Sequence, residues 1–132
     1  MSNRSLTVRG EDMWIEWLRW LLVSVGAIRR PDLVGRLMDR HPKPDELPPG
    51  LLVVVKDGGY LKWACFRCPG GCGEKLQLSL NPSRRPRWTV GLDWLRRPTL
   101  TPSVHQFNAC RCHFVLKNGI VNWCRDSGRR GA

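Results

Sequence analysis

The sequence predicts an α+β fold: a small, mainly antiparallel β domain with a zinc-knuckle or ribbon-like site and an N-terminal helical segment. Three observations predict it. Apolar residues near the N-terminus recur at helical spacing, whereas after Gly50 they fall in short runs separated by turn signals. Two clusters of soft ligands, Cys68-Pro69-Gly70-Gly71-Cys72 and Cys110-Arg111-Cys112-His113, stand at the edges of those runs. The length of 132 residues is that of one domain, and a core that small gains from a metal staple.

Residues 1–10 are polar and expected to be disordered. From Met13 to Ile28, Trp14, Trp17, Leu18, Leu21, Leu22 and Val25 share one face of a helix, with Glu11 and Asp12 at its start and Arg29-Arg30 at its end, as the helix dipole favours. Pro31 then opens a second short helix over Asp32 to Arg40, with Leu33, Leu37 and Met38 apolar. The proline-rich stretch from His41 to Gly50 reads as a stiff connector. These boundaries give a helical segment at 11–40, a linker at 41–50, a zinc-binding β domain at 51–125 and a disordered tail at 126–132.

Within the β domain, Leu51 to Lys56 and Tyr60 to Phe66 flank the turn signal Asp57-Gly58-Gly59 and read as a hairpin. Lys75 to Leu80 alternates, with Leu76, Leu78 and Leu80 on one face. Arg87 to Leu92 and Thr99 to Val104 are further strand candidates. His113 to Lys117 and Ile120 to Cys124 flank Asn118-Gly119, the strongest short hairpin signal in the chain.

Six cysteines with no export signal point to the reducing cytosol, where closely spaced Cys and His mean metal more often than disulfide. One structural Zn²⁺ is expected on Cys68, Cys72, Cys110 and His113. Cys65 and Cys112 are rival ligands, and a thiolate-rich site also suits iron. Because Cys110 and His113 would face opposite sides of a strand, a turn is required near Arg111. Cys65 and Cys124 read as packing residues.

The formal charge of +11 comes mainly from arginine and suits a polyanion or an acidic protein. Arg84, Arg85, Arg87, Arg96 and Arg97, interleaved with Trp88 and Trp94, form a candidate surface for a protein partner or for nucleic acid. Catalysis is not expected. The sequence has no His-Glu-x-x-His and no His-x-Glu motif, four good ligands leave a zinc ion no open position, and only Glu74 and Asp93 offer a base beside it. A cysteine nucleophile paired with His113 competes with metal binding by the neighbouring thiols.

Phe66 to Glu74, Leu76 to Leu80, Arg85-Pro86-Arg87-Trp88, Leu100-Thr101-Pro102-Ser103-Val104, Cys110-x-x-His113-Phe114 and Gly119-Ile120-Val121-x-Trp123-Cys124 follow one another in a characteristic order. Over about residues 48 to 125 this resembles the bacterial domain-of-unknown-function family 6527, a set of small zinc-binding proteins. Gly70 stands where many members carry a further cysteine. Serine in many members at the position of Cys112 implies that Cys112 is not an essential ligand. The resemblance implies gene neighbourhoods of ubiquitin-like proteins, their activating and conjugating enzymes and isopeptidases, in anti-phage defence. The expected function is therefore that of a non-catalytic, zinc-stabilised accessory protein of such a conjugation system. A basic nucleic-acid-binding protein and a zinc-dependent hydrolase are the alternatives.

Overall fold

A computed structural model describes residues 10–106 and 110–128, the side chains of residues 10–12 excepted. The segment 1–9 and the end of the tail, 129–132, expected to be disordered, lie outside the described residues. The chain runs through α1 (Gly10–Ser24), β1 (Val34–Met38), a 3-10 turn (Pro44–Glu46), β2 (Leu51–Asp57), β3 (Tyr60–Arg67), β4 (Lys75–Ser79), β5 (Thr89–Leu92), β6 (Pro98–His105), β7 (His113–Lys117) and β8 (Ile120–Trp123). Two four-stranded sheets result, in the orders β1-β2-β3-β4 and β5-β6-β7-β8. All pairings are antiparallel except that of β1 with β2. The domain is small and mostly β, with one helix.

The sheets face each other over one core. Leu52 and Val54 of β2, Phe66 of β3 and Leu78 of β4 meet Leu100 and Val104 of β6 and Phe114 and Leu116 of β7. Phe66 and Phe114 touch edge to face, ring centroids 6.3 Å apart, a geometry favoured by the ring quadrupoles. Val53, Val55 and Cys65 point to the other side of the first sheet, where Met38, Leu47 and Trp63 cover them. Burial on both faces explains the continuous apolar run Leu51-Leu52-Val53-Val54-Val55.

The expected second helix over Asp32 to Arg40 is instead β1. Val34 pairs with Leu51 and Met38 with Val55 in parallel register. Long-range bonds fix it there: the N–H groups of Asp32 and Leu33 donate to Gly119 O, and that of Val34 to Gly50 O. A Cβ on Gly35 would lie 2.3 Å from Leu92 Cδ2, so glycine lets the second sheet approach.

The first helix ends earlier than its apolar pattern. Gly26 at φ +80° closes it, with Ala27 N bonded to Leu22 O and Gly26 N to Val23 O, a Schellman cap. Its inward side is also rotated from the expected stripe. Ile15 is buried and Arg19 Nη1 donates to Leu95 O at 2.8 Å, whereas Trp14, Trp17 and Val25 are exposed. No helix among the described residues is long and apolar enough to cross a membrane.

Candidate functional site

The first ligand cluster follows β3. Gly71 and Gly73 adopt positive φ (85° and 82°), which lets the chain turn back so that Cys68 N donates to Glu74 O at 2.8 Å. In the second cluster Arg111 sits at φ 51°, the turn that spacing alone requires there. The Sγ atoms of Cys68, Cys72 and Cys110 lie within 4.8 Å of one another. Cys112 Sγ is 3.3 Å from Cys68 Sγ and 2.9 Å from Cys110 Sγ. Tetrahedral zinc with Zn–S of about 2.3 Å sets sulfurs about 3.8 Å apart, a spacing compatible with the Cys68, Cys72 and Cys110 group, against two members of which Cys112 lies. None of the four is in a disulfide.

The surroundings fit a thiolate centre. Gly70 N points at Cys68 Sγ from 3.3 Å. Gln106 Oε1 accepts from Cys68 Sγ at 3.0 Å, leaving its buried Nε2 without a partner. A half-turn of that amide would bring the NH₂ end to the sulfur, where a thiolate accepts its hydrogen. Without a cation Cys72 and Cys112 resist ionisation. Burial, then the neighbouring thiols, pushes Cys72 up to about 11, and Cys112 is raised for the same reasons. Cys65 faces the other side of the sheet, where burial raises it to about 11.

His113 does not join the thiols, so the expected ligand set departs from the structure at that residue. Its two ring nitrogens are engaged elsewhere. Ser103 Oγ lies 3.1 Å from His113 Nε2, and Asp126 Oδ1 lies 2.6 Å from His113 Nδ1. Cys112, a rival ligand from its spacing, lies against Cys68 and Cys110 instead. The difference comes from Arg111: its left-handed turn sends Cys110 and Cys112 inward together, and His113 then opens β7 on the other side.

Each member of the Ser103–His113–Asp126 relay is held by a distinct device. Ser103 lies where the β6–β7 register shifts, between Leu100 and Val104, and its carbonyl accepts from Trp88 Nε1 at 3.2 Å. His113 stacks on His105, with centroids 4.2 Å apart and planes 8° from parallel. Asp126 is carried by a turn folded back on β7: Cys124 N donates to His113 O, His113 N to Ser127 Oγ, and Gly128 N to Arg111 O. The hydrogen bond from His113 holds the Asp126 carboxyl below its ordinary range. An ionised carboxylate on Nδ1 fixes the tautomer that leaves Nε2 free to take a proton from the serine. This is the arrangement that activates a hydroxyl for nucleophilic attack.

The other expected site residues are dispersed. Arg84 and Arg85 are exposed on the loop before β5, with Arg87 half-buried at its end. Trp88 packs against the core rather than facing solvent, while Trp94 is exposed at the β5–β6 turn. Arg97 Nε pairs with Asp93 Oδ2 at 2.6 Å, and Arg96 lies beside it at φ 63°. Asp93 also accepts the N–H groups of Leu95 and Arg97, so it builds the turn and is no free base. The spacing of Ser103 and Asp126 matches no local motif, and the one hint was the ordered segment Leu100 to Val104.

No curated protein and no solved structure matches the chain. One family model does, over residues 39–124, and it is described as bacterial ubiquitination-like system serine protease. The description overturns the expected non-catalytic accessory role, and with it the expectation that the chain is not an enzyme. It retains the expected link to bacterial ubiquitin-like systems. The matched segment contains Ser103, His113 and all four clustered thiols, and it spans well over half of the chain. The chain therefore belongs to the bacterial ubiquitination-like system serine protease (BubE) family.

Proposed function

We propose that this protein is a serine peptidase of a bacterial ubiquitin-like conjugation system, with Ser103 as nucleophile, His113 as general base and Asp126 as the group that orients His113. The observation that carries this reading is the continuous relay from Ser103 Oγ through both nitrogens of His113 to Asp126, at 3.1 and 2.6 Å. Ser103 Oγ attacks the carbonyl carbon of the scissile bond while its proton passes to His113 Nε2. The protonated imidazole then gives that proton to the departing amine as the C–N bond breaks. Water, deprotonated by the same nitrogen, releases the acyl group from Ser103.

The substrate we assign is a ubiquitin-like protein, cleaved at its C-terminal extension or at its bond to a target, and the protein partners are the activating and conjugating enzymes of the same system. Cys68, Cys72, Cys110 and Cys112 would hold one structural Zn²⁺, whose chemistry is to cross-link the loop after β3 to the loop before β7.

Labelling with a fluorophosphonate, followed by peptide mapping, tests the reading. Modification is expected at Ser103 and lost in Ser103→Ala and His113→Ala, together with cleavage of a cognate ubiquitin-like protein bearing a C-terminal extension. Cleavage that persists in Ser103→Ala overturns it.

A further inference from the structure

A cleft of about 350 Å³ opens between β4 and the end of β6, next along the chain from Ser103. Leu76, Leu78, Trp88 and Val104 form its apolar lining, with Gln106 beside them and Glu74, Lys75 and His105 also lining it. None of the three relay residues lines it, but it borders them at three points. Val104 is the residue after Ser103, the Trp88 indole bonds the Ser103 carbonyl, and His105 stacks on His113.

One wall of the cleft is an open sheet edge. β4 is the last strand of its sheet. Along a strand, backbone groups point alternately to the two sides. Glu74 O and Leu80 N bond inward, to Cys68 N and Lys62 O, whereas Ser79 O accepts outward, from Trp88 N. By that alternation Lys75 and Gln77 also turn their N–H and C=O groups outward, and no strand pairs with them among the described residues. Such an edge is a template for an extended peptide, with alternate side chains dropping into adjoining pockets.

We infer that the substrate chain binds as an added strand on the outer edge of β4, through Lys75 and Gln77, and seats an apolar side chain between Leu76, Leu78, Trp88 and Val104. The inference rests on the serine-peptidase reading and adds to it a specificity: extended segments with a large aliphatic residue close to the scissile bond.

Three probes of Ser103 test it in the full chain. Diisopropyl fluorophosphate reaches the serine without filling the cleft. Two peptide phosphonates, one of three leucines and one of three serines, differ only in side chains. The leucine peptide is expected to label about tenfold or more faster, the low end of what burying one leucine contributes. Leu76→Trp, which fills the cleft, and Gln77→Pro, which removes an edge N–H, are each expected to abolish that preference and leave the diisopropyl rate unchanged. Equal rates for the two peptides in the unaltered protein, or a preference that survives both substitutions, overturns the assignment while the nucleophile stands. No reaction of Ser103 with diisopropyl fluorophosphate overturns the serine reading, and the cleft's role with it.

Discussion

Cys112 and His113 are consecutive residues whose side chains serve two different sites. The Cys112 thiol is sealed among sulfurs, 2.9 Å from Cys110 Sγ, while the His113 ring stands between Ser103 and Asp126. A single backbone step therefore joins the thiol cluster to the Ser103–His113–Asp126 relay. Substitutions at the two positions are expected to separate cleanly. His113→Ala keeps its metal and its melting temperature but loses Ser103 labelling. Cys112→Ser loses the metal, melts lower and also loses labelling, because the loop that aims His113 is released. Elemental analysis beside labelling of both variants checks this. Metal lost from His113→Ala would return the histidine to the ligand set.

Asp126 acts through His113. Asp126→Asn is expected to lower kcat by about 10²–10⁴-fold with little change in KM, since it removes tautomer control and stabilisation of the imidazolium but no substrate contact. Stability should change little, because the Asp126 side chain is largely exposed at 65%. Steady-state kinetics and a thermal melt decide between this and a merely structural role, which would move the melt as much as the rate.

Local signals in the sequence specify the β scaffold closely. Asn118-Gly119 adopts φ values of 50° and 77°, and Gly58-Gly59 of 62° and 83°, so both hairpins turn where the residues permit positive φ. The first strand is illegible for the opposite reason. Leu33, Leu37 and Met38 suit a helix as well as a strand, and the choice is made by Leu51–Val55, which require a partner edge, and by Asp32, whose Oδ2 accepts from Val121 N. Three of the clustered thiols are visible from loop-forming residues and ligand spacing, but the identity of the fourth depends on the single left-handed residue Arg111. Of the relay, only His113 and the segment Leu100 to Val104 are visible in the sequence. Ser103 and Asp126 lie 10 and 13 residues from His113 on separate elements, and they meet through the β6 register shift and a turn after β8.

Acid should loosen the 3-10 turn before it affects the sandwich. Glu46 accepts both terminal nitrogens of Arg40, at 2.7 and 2.8 Å, and the N–H of Lys43 at 2.8 Å. The Arg40 hydrogen bonds, with that of Lys43, lower its carboxyl from 4.5 to about 2. A depressed carboxylate pKa stabilises the fold fully above the unfolded value, and that contribution is lost as pH falls from about 4.5 through about 2. Glu46→Gln should remove this component, so that its melting temperature and that of the unaltered protein converge on acidification over that window. A difference that stays constant with pH would place the effect of Glu46 in packing rather than charge.

Gly128 is the position at which the smallest change should reach the relay. A Cβ there would lie 2.7 Å from the Cys110 carbonyl oxygen, 3.0 Å from Arg111 Cβ and 3.1 Å from the Arg111 carbonyl oxygen. Two of those atoms are backbone beside a clustered thiol and cannot give way cheaply. Relief must come from the Gly128 side, by breaking its N–H bond to Arg111 O and lifting the turn that carries Asp126 and Ser127. Gly128→Ala is therefore expected to slow Ser103 labelling by about tenfold or more, since small misplacement of a catalytic group is costly. The metal content should stay unchanged, because all four thiols lie outside the displaced turn. Thermal stability should fall by about 1–3 kcal/mol at most, the usual cost of overpacking. A variant that labels at the original rate would show that the 124–128 turn yields without moving Asp126, and that this turn has no part in aiming the relay.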